Sequence, residues 1–147
     1  MPPLFYWAMA ALSGAAMALQ GTFNAAMGKV IGVWQSTLAV HIIGAAATFL
    51  IMMLWGMNWS NYGKLGELPW YAWLGGILNV LIIFAVVTVM PKIGVGNATT
   101  AIVVAQIMTA VTIDALGAFG MEQYRFRLLD LLGIALLAGG TWILTMK

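Results

Sequence analysis

Gln20, Asn24, His41, Asn79, Gln106 and Asp114 all stand inside long apolar stretches of the chain. A carboxylate in lipid costs about 2.5 to 3.5 kcal/mol on insertion scales, so Asp114 is by default a functional group, a candidate for transport or proton/ion coupling. The competing reading is a helix-terminal bond to nearby backbone, or to Arg125 or Arg127. Gln20 and Asn24 are four apart and share a helix face. Thr99 and Gln106, seven apart, fall within about 20° of each other on a helical wheel, with Asp114 about 80° from Gln106. Asn79 stands at mid-depth of its stretch. The four amides, Gln20, Asn24, Asn79 and Gln106, could line a polar substrate path. The alternative for each is packing between helices, where such bonds contribute about 0.6 kcal/mol on average. His41 is the second coupling candidate, as a proton relay or else as a satisfied packing residue.

The elements that position these residues follow from composition. Hydrophobic residues make up 63% of the 147, charged residues only 7%, and mean hydropathy is +1.00, against roughly 25% charged in a soluble domain. This is an all-α integral membrane protein, since lipid leaves the backbone no hydrogen-bond partner outside a helix or a closed barrel, and no strand-like alternation is present. Charges punctuate the chain into five spans, 4–27, 35–57, 68–90, 97–120 and 128–146, in a single domain over 1–147. Pro69 suits the start of the third span and Pro91 its stop. Trp7, Trp55, Trp59, Trp70, Trp73 and the four tyrosines fall near span ends as interface anchors. The N-terminal stretch reads as a retained span, having no charged region before its apolar run.

Several function classes are disfavoured. There is no cysteine and one histidine, so a thiolate or histidine-rich metal site is not expected, and no zinc-protease or phosphate-loop pattern occurs. We expect no enzyme activity and no cofactor. Six bases against four acids, scattered along the chain, do not suggest nucleic acid as a partner.

Five spans put the termini on opposite sides. Lys64, Arg125 and Arg127 then lie on one side and Lys29, Lys92 and Lys147 on the other, a difference of 3 − 3 = 0. With no bias to set orientation, copies are expected to insert both ways and to pair as an antiparallel homodimer. A weakly biased single orientation is the alternative. Gly14, Gly44, Gly75, Gly76, Gly133, Gly139 and Gly140 allow close helix approach, with packing inside one chain the more ordinary use. In an opposed pair, His41 of one copy and Asp114 of the other would lie at similar depth.

The stretches Ala18 to Gly32 (ALQGTFNAAMGKVIG), Pro69 to Gly76, Met90 to Gly96, Ala105 to Gly120 and Leu132 to Gly140 resemble the YdcZ-like five-span family of the drug/metabolite transporter superfamily. The resemblance covers essentially the whole chain. Its most specific part is the Gln106 to Asp114 spacing followed by Gly117 and Gly120. It implies small five-helix subunits that occur as antiparallel homodimers, as paired oppositely oriented homologous subunits, or as fused ten-span chains. The chain reads Ala39-Val40-His41 where that family tends to carry a serine, and it has no acid in its first span. The glutamate-based antiport of the small multidrug resistance branch therefore does not carry over.

The expectation is a transporter subunit of the inner (plasma) membrane, an exporter of a small organic solute by alternating access, with coupling through protons. Membrane lipid and an opposed subunit are the expected partners, giving a ten-helix inverted two-fold assembly. The alternatives are a non-transporting scaffold or accessory subunit and, more weakly, a narrow pore, for which the rings of charge are missing.

Overall fold

A computed structural model describes residues 3–57, 59–125 and 127–146, all in helices and their connections, with no strand among them. The α-helices are α1 (Pro3–Ile31), α2 (Val33–Leu54), α3 (Leu74–Ile93), α4 (Val95–Leu116) and α5 (Leu128–Thr145). Short 3₁₀ turns cover Trp59–Glu67, Trp70–Trp73 and Ala118–Gly120. Three segments, Val33–Leu54, Trp70–Ile93 and Val95–Leu116, are long and apolar enough to cross a membrane. At 29 residues α1 has the length, but Ser13, Gln20, Thr22 and Asn24 dilute its apolar run. By contrast α5 is apolar and only 18 residues long.

Several boundaries differ from the sequence expectation. The gaps expected at 28–34 and 91–96 shrink to single glycines, Gly32 and Gly94, because Lys29 and Lys92 belong to the last turns of α1 and α3. A cation there complements the negative end of the helix. Gly32 (φ 95, ψ 156) and Gly94 (φ 86, ψ 155) share one left-handed backbone conformation, which a residue with a Cβ disfavours. Pro91 lies inside the last turn of α3. There its missing N–H forfeits only one terminal hydrogen bond. Pro69 caps the 3₁₀ turn Trp70–Trp73 and the α-helix begins at Leu74. The fourth span, expected to reach Gly120, stops at Leu116 because Gly117 turns left-handed at φ 59. Asn58, Phe126 and Lys147 of the expected loops and terminus lie outside the described residues.

The chain forms two compact units, residues 1–92 and 93–147. In the first, the chain turns back at Gly32 so that Ser36 Oγ donates to Asn24 O at 3.1 Å. The core is small: Gly21, Asn24 and Ala25 of α1, Ser36 and Thr37 of α2, and Ile83, Val87 and Met90 of α3 are buried. Gly21 and Gly28, seven apart, supply the close approach. A Cβ on Gly21 would come within 2.6 Å of Met90 Cε, and one on Gly28 would run into Val87 Cγ1. Trp34 and Phe84 pack with centroids 4.4 Å apart. Beyond α2, Trp59 lies between Phe49 (5.6 Å) and Tyr62 (5.7 Å). Most large apolar side chains point outward, as lipid permits and water would not.

The second unit pairs α4 with α5. Asp114 O, an otherwise unpaired helix-end carbonyl, accepts from the N–H groups of Gly117 (3.3 Å) and Tyr124 (2.8 Å), and Ala115 O accepts from Gln123 Nε2 (3.0 Å). Asp130 opens α5: its Oδ2 accepts the Arg127 N–H at 2.8 Å. Gly14, Gly44, Gly75, Gly76, Gly133, Gly139 and Gly140 have nothing within 4 Å of a would-be Cβ. Within the first unit, Gly21 and Gly28 are the glycines at close helix approaches.

Candidate functional site

His41 is the centre of the polar contacts in the first unit. Its Nδ1 lies 2.7 Å from Thr37 O, one turn earlier on α2, and its Nε2 lies 3.1 Å from Asn79 Nδ2 on α3. A carbonyl only accepts, so Nδ1 carries the proton; Nε2 then offers a lone pair to the Asn79 amide N–H. Both ring nitrogens are thus used. His41 is half-buried and Asn79 exposed.

Of the residues singled out in the sequence, these two are the pair joined side chain to side chain. Gln20 and Asn24 divide: Asn24 is 7% exposed, with its carbonyl taken by Ser36, whereas Gln20 faces outward. The shared helix face did not give a shared environment, because the α2 corner covers only the lower turn.

On α4, Gln106 is exposed, while Thr99 carries a buried hydroxyl oxygen with no hydrogen-bond partner among the described residues. All other threonines with described side chains donate to the carbonyl four residues back. Thr99 thus departs from a regular pattern on the face it shares with Gln106.

Asp114 stands at the end of α4 and lines a cavity of about 310 Å³ between α4, the following connection and α5. Arg125, Arg127 and Asp130 line it too, among Ile107, Val111, Ile134 and Leu137. Arg127 Nη2 lies 3.6 Å from Asp130 Oδ1. The Asp114 carboxylate forms no hydrogen bond or ion pair among the described residues.

Ser36, Thr37 and Asp130 make contacts that their spacing in the sequence does not assign to a site. Thr37 had a legible signal, four residues before His41 on one helix. Asp130 was an acid inside the fifth apolar stretch, overlooked beside Asp114. A recurring Ile-Gly-Val after a nearby lysine, at Lys29 to Val33 and Lys92 to Val95, also marks the two single-glycine breaks between helices.

Helices of this length and apolarity, with outward hydrophobic side chains and few polar contacts inside, define a multi-pass helical membrane protein. Residues 5–143 match the family described as "Putative inner membrane exporter, YdcZ". The chain belongs to that family, and is a multi-pass protein of the inner membrane and a membrane transporter. No curated protein and no solved structure matches it.

Proposed function

We propose that two oppositely oriented copies, five spans each, form an exporter of small organic solutes that works by alternating access and is driven by protons. Inverted halves around a mid-membrane site are the general plan for such cycles. The zero charge bias and the seven open glycines support an opposed partner, homodimeric or homologous, because small residues allow the close helix contact that association in lipid relies on.

The observation that carries proton coupling is the contact of His41 with Asn79. Neutral His41 accepts from the Asn79 amide N–H. A proton on Nε2 turns that acceptor into a donor, so the pair must part or the amide must turn over to present Oδ1. Protonation therefore alters the α2 to α3 contact, which supplies the two arrangements a coupled cycle needs. Among the path candidates, Asn79 touches the switch directly, and the outward-facing Gln20 of the same unit would supply an amide to the solute. Asp114, the other coupling candidate, lines the cavity between α4 and α5.

The test is a liposome assay with a pH-sensitive dye inside, an imposed pH gradient, and a panel of small organic cations and neutral polar solutes. A solute-evoked proton flux that disappears in His41→Gln is expected. Correctly inserted protein in which no solute of the panel evokes proton movement would favour the scaffold reading.

A further inference from the structure

We infer that the cavity between α4 and α5 binds the headgroup of a zwitterionic, primary-ammonium phospholipid, with its ammonium on Asp114 and its phosphate on Arg125. This rests on the second unit alone and is independent of the His41 switch.

The cavity holds four charged side chains, and two of them are paired, although the Arg127 side chain stays 70% exposed. Asp130 takes the Arg127 backbone N–H on Oδ2 (2.8 Å) and faces the Arg127 guanidinium with Oδ1 (3.6 Å). That leaves one carboxylate, Asp114, and one guanidinium, Arg125, neither with a hydrogen bond or ion pair among the described residues, on the walls of one cavity. An unpaired carboxylate at the end of a membrane span calls for a donor. An unpaired guanidinium presents a fork of N–H groups suited to phosphate.

A simple anion would satisfy Arg125 and be repelled by Asp114, and a simple cation would do the reverse. A molecule with both charges satisfies both. The remaining lining is apolar: Ile107 and Val111 on α4, Ile134 and Leu137 on α5, a surface for an acyl chain leading away from the headgroup. About 310 Å³ lies at the lower end of ligand-pocket volumes, roughly 300 to 1,000 Å³, enough for a headgroup and not for a whole lipid. Arg125 stands in the polar connection between two apolar helices, the depth at which phosphates lie. A trimethylated ammonium has no N–H to give Asp114, which selects phosphatidylethanolamine over phosphatidylcholine.

The experiment is thermal unfolding and native mass spectrometry of the purified, delipidated full chain. The added probes are phosphatidylethanolamine, phosphatidylcholine, phosphatidylglycerol, and the soluble zwitterions phosphoethanolamine and leucine. Phosphatidylethanolamine alone should form a saturable adduct and raise Tm. Asp114→Asn and Arg125→Gln should each weaken that adduct about tenfold or more, the usual consequence of losing one charged hydrogen-bond partner. Asp114→Glu, which keeps the charge, should retain it, and separates lost recognition from a failed fold. Equal binding of phosphatidylcholine, preference for phosphatidylglycerol, or full binding by either Asp114→Asn or Arg125→Gln would overturn the proposal. Stabilisation by a soluble zwitterion without binding of phosphatidylethanolamine would overturn the lipid assignment.

Discussion

His41 Nε2 and Asn79 Nδ2 lie 3.1 Å apart, joining α2 to α3 across 38 residues of sequence. Asn79→Ala removes this partner at a place where lipid-exposed neighbours lose little packing. Stability should fall by no more than about 1 kcal/mol, near the range measured for polar contacts between membrane helices, while solute-evoked proton flux falls about tenfold or more as the switch loses its second arrangement. Thermal unfolding and liposome flux measured on the same preparation check both parts.

Gly28 tests the packing of the first unit. A methyl group there overlaps Val87 Cγ1, and a β-branched side chain on a helix has little rotamer freedom to move aside. Gly28→Ala should lose about 1 to 3 kcal/mol to overpacking, offset in part by the roughly 1 kcal/mol gained in helix propensity. Gly96→Ala, in α4 with open space around it, should keep only the gain. Opposite shifts in Tm for the two variants are the expected result.

Gly117 closes α4 at φ 59, and a Cβ there would stand 3.0 Å from Gln123 Cβ. Gly117→Ala should cost about 1 kcal/mol or more from backbone strain and disturb the Gln123 amide bond that holds Ala115 O. Faster amide exchange at the end of α4, with α2 unaffected, would show that the cost is local.

How far the sequence could be read depended on the kind of force involved. The membrane class and the helices were legible because lipid rewards apolar runs whatever their neighbours. The corners were harder. Lys29 and Lys92 read as loop charges, yet both sit in final helical turns, since a cation is favoured there and a lone glycine suffices to end a helix. The His41 to Asn79 contact depends on the relative rotation of two helices, which no spacing within either one states. Ser36 looked like an ordinary serine, and only the corner at Gly32 turns it toward Asn24 O. For Asp114, the choice of Arg125 or Arg127 as partner was left open by the sequence; the structure gives Arg127 to Asp130 instead.

The most direct test of an exporter built from opposed copies is orientation. With no native cysteine, a single cysteine in place of Ser60, beyond α2, can be labelled in intact cells with an impermeant maleimide and compared with lysed cells. A Lys and Arg difference of zero predicts that about half the molecules label from outside. Labelling wholly from one side would contradict the homodimer, and would require an oppositely oriented homologous subunit in its place.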